Sequence, residues 1–175
     1  MRRDDRERSS SRQIQAGEQL PSGILHQLDD AGALQSYDPR ELFQGKRGVL
    51  IGVPGPFTPG CSEIHLPGYI KHRQALRAAG IERVVCLSLS DAWVMRAWGE
   101  TLGAAGAVEL FADGSGFYSE TLGLRQDLSA QGFGLRCKRF ALLIDHGEVR
   151  EVQVDPGPIS LTSAEAVCAA APLLR

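Results

Sequence analysis

Cys61 closes the run Pro54-Gly55-Pro56-Phe57-Thr58-Pro59-Gly60-Cys61, which follows directly on the apolar stretch Val49-Leu50-Ile51-Gly52-Val53. The apolar stretch reads as a buried strand, and Thr58 with Pro59 reads as the start of a helix. Threonine is a good N-cap, and proline at the first helical position gives up only an N–H that would be unpaired anyway. Cys61 then falls in the first turn, at the positive end of the helix dipole and among unpaired backbone N–H groups. In that setting a thiol loses its proton near neutral pH and becomes a nucleophile. The pattern predicts a reactive-cysteine enzyme.

The elements that must hold this cysteine alternate along the chain. Strands are expected at 48–53, 83–89, 108–112, 139–145 and 149–154, each short, apolar or alternating, and bounded by Gly, Asp or charge. His146-Gly147-Glu148 turns the last two into a hairpin. Helices are expected at 58–79, 91–102, 116–122 and 163–171, with Asp91 and either Thr162 or Ser163 as N-caps and Gly80 closing the first as its C′ residue. Such an order suits a three-layer α/β sandwich around a central mixed sheet. Pro67 lies well inside the first helix, where it removes the bond to the Glu63 carbonyl and kinks the chain. That kink either uncouples the turn carrying Cys61 or serves packing alone.

The motif set resembles that of the type II, five-like peroxiredoxins, thiol peroxidases of thioredoxin fold. Pro54, Thr58 and Cys61 match the Pro-x-x-x-Thr/Ser-x-x-Cys pattern, and the run FTPGCS is followed by His65-Leu66-Pro67-Gly68, Ser90-Asp91-Ala92 and Lys138-Arg139-Phe140 in the same order. The similarity runs from about Leu42 to Gly157. It implies a thioredoxin-like fold and an enzyme that reduces hydrogen peroxide and organic hydroperoxides, without metal, flavin or haem. It also implies recycling by glutathione, glutaredoxin or thioredoxin, and a homodimer to which Phe57, Trp93 and Trp98 could lend apolar surface.

Reducing a peroxide needs a thiolate aimed along the O–O bond and donors where charge develops on oxygen. Cys61 supplies the sulfur. The N–H groups of Gly60 and Cys61 face the attacked oxygen, and glycine at 60 permits close backbone approach. Thr58 caps the helix by accepting from the Cys61 N–H and keeps one proton to donate. By resemblance Pro54 shields the sulfur from water, and Arg139 is the fixed cation that offsets the desolvation of the thiolate. Arg136 and Arg125 read as solvated surface charge.

Attack leaves a sulfenic acid that must be recycled. Cys86 reads first as a small buried hydrophobe in its strand, although related chains carry a cysteine there. Cys137 shares a strand face with Arg139 and is a candidate resolver. Cys168 reads as helix packing. The mammalian branch of the family has its resolving cysteine in the loop before the last helix, where this chain has Leu161-Thr162-Ser163.

Other chemistries fit less well. His65 and His72 share a helix with Cys61, but ligands from a single helix cannot surround one ion tetrahedrally, so no metal is expected. Thr58 and Ile64 leave no C-x-x-C around Cys61, which disfavours a dithiol oxidoreductase. A peroxide-responsive sensor or holdase is the alternative reading.

The 175 residues suffice for one domain, assigned to 13–175, behind a charged, apolar-poor tail over 1–12 expected to be disordered. A formal charge of −2 gives no field that would attract nucleic acid, and no apolar run is long enough to span a membrane. No apolar segment follows the leading arginines, the interspersed acids are unlike a transit peptide, and four unclustered cysteines suit a reducing compartment; a cytoplasmic location is the expectation.

Overall fold

The computed structural model describes residues 12–174, so the expected tail lies, Arg12 excepted, outside the described residues. In chain order the elements are β1 (Leu25–Leu28), β2 (Leu34–Tyr37), α1 (Pro39–Leu42) and β3 (Arg47–Gly52), then a π-helical segment (Gly60–His65), α2 (Leu66–Lys71) and α3 (Arg73–Ala78). There follow β4 (Arg83–Ser88), α4 (Ala92–Leu102), β5 (Glu109–Ala112), α5 (Phe117–Thr121), β6 (Arg125–Asp127) and β7 (Leu135–Cys137). The chain closes with β8 (Arg139–Asp145), β9 (Glu148–Asp155) and α6 (Ala164–Ala170).

Seven strands form one mixed sheet in the order β2-β1-β5-β4-β3-β8-β9. β3, β4 and β5 are parallel, whereas β8 runs antiparallel to β3 and β9 antiparallel to β8. β3 is covered on both faces, hence its unbroken apolar sequence. Val49 and Ile51 point into one core with Leu66, Tyr69, Leu76, Trp98 and Val167, while Leu50 points into the other with Phe43, Tyr118 and Leu142. These cores make the three layers of a thioredoxin-like α/β sandwich. Among the described residues no helix is long and apolar enough to cross a membrane.

The expected central strands and three of the expected helices are present, most with ends moved by a residue or two. Asp91 caps α4 by accepting from the Val94 N–H, and Ser163 caps α6 through the Ala166 N–H. His146 and Gly147 both have positive φ, 51° and 88°, the tight two-residue turn that suits the twist of the β8–β9 hairpin.

Three features differ from expectation. The helix expected over 58–79 is broken into the π-helical segment, α2 and α3. The Leu66 N–H reaches back to the Cys61 carbonyl, a bond from i to i−5 that widens the turn ahead of Pro67. Pro67 thereby sits in the first turn of α2, where its missing N–H costs little. The β1–β2 hairpin, unforeseen, is a half-exposed edge with little apolar alternation, and the separate β6–β7 pair is only three residues long on each side. Trp98 is fully buried and belongs to the core, not to a dimer surface; Phe57 and Trp93 are exposed.

Candidate active site

β3 ends at Gly52, and the Val53 carbonyl just beyond it accepts from Ser88 Oγ at 2.8 Å and from Cys137 Sγ at 3.0 Å. This ties the strand end to β4 and β7 before Pro54 turns the chain. Phe57 follows with φ at 63°, a left-handed conformation that a bulky residue adopts at a cost and that turns its ring to solvent. The first helical bond runs from the Ser62 N–H to the Thr58 carbonyl at 2.9 Å, which leaves the N–H groups of Gly60 and Cys61 ahead of the helical ladder.

Cys61 is completely buried. Arg139, the first residue of β8, lays its guanidinium over the turn: Nη2 donates to Cys61 Sγ at 3.4 Å and Nη1 to His65 Nδ1 at 2.9 Å. A side chain at position 60 would meet Arg139 Nη2 at 3.3 Å, so the space left by Gly60 is taken up by the arginine. Thr58 donates its hydroxyl proton to the Gly55 carbonyl at 2.6 Å, and no side chain caps the start of the π-helical segment. The proton expected to be spare is therefore committed to the loop, and the hydroxyl oxygen keeps its lone pairs.

His65 is the residue whose place was least legible. Its Nε2 lies 2.9 Å from the Thr162 carbonyl, which only accepts, so Nε2 carries the proton and Nδ1 is the acceptor for Arg139. Burial, opposed by the Thr162 bond and reinforced by the Arg139 charge, pushes the imidazole down to about 4, so the ring is neutral at pH 7. Tyr69, one turn on, donates to the same carbonyl at 2.8 Å. The carbonyl is itself held by a loop wound on the Asp155 carboxylate, which accepts from the N–H groups of Ser160, Leu161 and Thr162 and from Thr162 Oγ1. Burial alone would raise the Asp155 pKa, but these donors outweigh it and hold the carboxyl below its usual range. A continuous chain of contacts thus runs from Asp155 through Thr162, His65 and Arg139 to the sulfur.

The other expected residues are placed as follows. Pro54 is half-buried at the strand exit. Cys86 pairs with Ile51 inside the sheet and, like Cys137, is fully buried, and burial pushes both thiols far above the ordinary range. Cys168 is half-buried against the core, and burial raises its thiol too. The four cysteines are all free. His72 does not approach Cys61: its Nδ1 bonds to the Gly68 carbonyl and its Nε2 lies 3.4 Å from Glu165. Arg125 pairs with Glu120, whereas Arg136 is half-buried beside Gly55 instead of free in solvent. Among the described residues no group of three or more His, Cys, Asp or Glu side chains is arranged to hold a metal ion.

A buried thiol under an arginine, at a helix start behind the central strand of a thioredoxin-like sheet, defines a class of cysteine-dependent redox proteins. Residues 15–168 match the redoxin family. The chain is 40% identical over 153 residues to peroxiredoxin-2C of Arabidopsis thaliana, covering 87% of this chain and 94% of the relative. It is 42% identical over 155 residues to the chloroplastic peroxiredoxin-2E-2 of rice, covering 86% and 69%. Among solved structures, reduced Prx3 of Vibrio vulnificus in complex with hydrogen peroxide superposes with a TM-score of 0.85 at 41% identity, covering 90% and 99%. The chain belongs to the peroxiredoxins, thiol peroxidases of the type II, five-like branch.

Proposed function

We propose that Cys61 is the peroxidatic cysteine of this thiol peroxidase and that Arg139 sets its reactivity. The carrying observation is the Arg139 guanidinium held between His65 Nδ1 and the Cys61 sulfur. In this reading the Cys61 thiolate attacks one peroxide oxygen, an S–O bond forms as the O–O bond breaks, and the leaving oxygen takes a proton to depart as water or alcohol. Arg139 stabilises the thiolate and then the oxygen on which charge develops, as a planar fork is suited to do. The unpaired N–H groups of Gly60 and Cys61 donate to the attacked oxygen. Thr58, with its own proton bound to Gly55, accepts from the incoming hydroperoxide and so orients it. Pro54 keeps bulk water from the sulfur. A relative that binds hydrogen peroxide in its reduced form supports this assignment.

The sulfenic acid condenses with a thiol to give a disulfide and water, and a second thiol restores Cys61. Cys86 and Cys137 are both buried and poorly ionised, and the loop before α6 carries serine. These features favour an external thiol, supplied by glutathione with glutaredoxin or by thioredoxin, acting on hydrogen peroxide and organic hydroperoxides. Exposed Phe57 and Trp93 support a homodimer, and the unclustered cysteines support a cytoplasmic setting. The test is sustained peroxide consumption with each reductant in turn. Turnover that survives Cys61→Ser refutes the assignment of the nucleophile, and one equivalent consumed without recycling favours a sensor. Mass spectrometry after one equivalent of peroxide identifies the partner of the Cys61 sulfur.

A further inference from the structure

Among the described residues, most of the half-buried arginines are neutralised by a carboxylate. Among the half-buried ones, Arg47, Arg83, Arg125 and Arg150 each lie within ion-pair distance of an aspartate or glutamate. Two half-buried arginines have no acidic partner among the described residues. One is Arg139 at the sulfur; the other is Arg136, three residues earlier.

Arg136 is not loose. Its Nε donates to the Phe133 carbonyl at 2.9 Å, and its guanidinium carbon stands 5.9 Å from the centre of the Phe133 ring. These contacts fix the plane of the fork and leave its two terminal nitrogens without a hydrogen-bond partner among the described residues. One of them, Nη1, lies 3.8 Å from the point a side chain on Gly55 would occupy, and that point is 3.0 Å from Thr58 Cγ2. One terminal nitrogen of the cation therefore lies close to the Gly55–Thr58 turn that leads to Cys61. Phe57 on that turn and Phe133, beneath the guanidinium, are both exposed apolar side chains.

We propose that Arg136 is a carboxylate-binding subsite at the mouth of the Cys61 site, taking an amphipathic carboxylate that carries either the hydroperoxide or the reducing thiol. The inference rests on the peroxidase reading and adds the chemical class of its ligand. A planar guanidinium edge pairs with a carboxylate through two parallel hydrogen bonds, and the aromatic rim accepts the carbon chain.

The test compares acids with their own esters. Rates are measured with an unsaturated fatty-acid hydroperoxide and its methyl ester, and recycling rates with glutathione and its glycine ethyl ester. Each rate is divided by the same protein's rate with hydrogen peroxide. The native protein is expected to favour the acid over the ester by about tenfold in one of the two series, a ratio that falls toward unity in Arg136→Gln and is partly restored in Arg136→Lys. The series in which the preference appears tells whether the carboxylate belongs to the peroxide or to the thiol. Equal rates for acid and ester in both series, or a preference untouched in Arg136→Gln, overturn the subsite while the peroxidase stands. Failure of the native protein to consume hydrogen peroxide removes the peroxidase reading and the subsite with it.

Discussion

His65 offers two substitutions that separate its two hydrogen bonds. Asparagine brings an amide oxygen near the place of Nδ1 and so preserves an acceptor for Arg139 while giving up the bond to Thr162. Glutamine brings an amide N–H near the place of Nε2 and so preserves the Thr162 bond while leaving Arg139 without its acceptor. The Arg139–His65 contact is short, 2.9 Å, buried on the histidine side, and made by a charged donor. Hydrogen bonds of that kind contribute about 1.5–3 kcal/mol, which corresponds to roughly ten- to a hundredfold in a rate constant when all of it is lost from the transition state. His65→Gln is therefore expected to slow peroxide reduction by about tenfold or more, and His65→Asn by no more than about threefold. Stability should fall more in His65→Gln, which leaves the Arg139 N–H without its acceptor at a cost of about 1–3 kcal/mol, than in His65→Asn, where Tyr69 still donates to the Thr162 carbonyl. The assay is stopped-flow tryptophan fluorescence, since the Trp98 indole N–H is bonded to Ser62 Oγ at 2.9 Å, next to Cys61. Equal loss in the two variants, or a native rate in His65→Gln, refutes the idea that histidine aims the arginine.

Further outcomes follow from the same contacts. Thr58→Val removes the hydroxyl bonded to Gly55 and is expected to lower the peroxide rate constant by about tenfold or more, with Thr58→Ser restoring most of it in a competition assay. Asp155→Asn leaves one of the four loop donors facing an amide N–H and is expected to cost about 2–4 kcal/mol in urea unfolding. His65 also sets an acid limb: the unfolded chain takes up its proton near 6.5 and the folded protein only near 4, so stability is full above that range and falls as pH drops through it. The loss amounts to about 3 kcal/mol, and denaturant titrations between neutral pH and pH 4 should show this limb flattened in His65→Asn. Pro67→Ala allows an ordinary α-turn to replace the π-turn, and hydrogen exchange over residues 60–66 should then differ less between reduced and oxidised protein.

The sheet could be read from the chain because its central strands are apolar on both faces and α4 and α6 carry side-chain caps. The hairpin Leu25–Tyr37 could not, since a half-exposed hairpin paired to β5 at the end of the sheet needs little apolar alternation. At the site, side chains whose chemistry is their own were legible: Cys61 at a helix start, and Arg139 through a family motif. Thr162 was not, because it contributes a backbone carbonyl and any residue supplies one. Asp155 lies just past the expected strand 149–154, and only the fold shows that the next loop winds back onto it. His65 falls on the expected helix of Cys61, but periodicity carries no sign of a partner 74 residues away. Arg136 was assigned to solvent by composition, and its neighbours are what remove it from there.

Those placements bear on how an oxidised sulfur leaves so enclosed a site. Cys61 and His65 belong to one π-helical segment, so a movement that carries the sulfur outward carries the imidazole with it. The Arg139 contacts then break together, and the Thr162 carbonyl loses the His65 donor while Tyr69, further along in α2, still holds it. Such a movement would abandon the bonds between Arg139 and the sulfur and keep the one that anchors the next helix. The loop that in the mammalian branch carries the resolving cysteine here carries a strut, wound on Asp155 and pressed against His65. Its contacts bear on the arginine and the sulfur through His65, so replacing Asp155 should slow peroxide attack even though the carboxylate is not bonded to the sulfur.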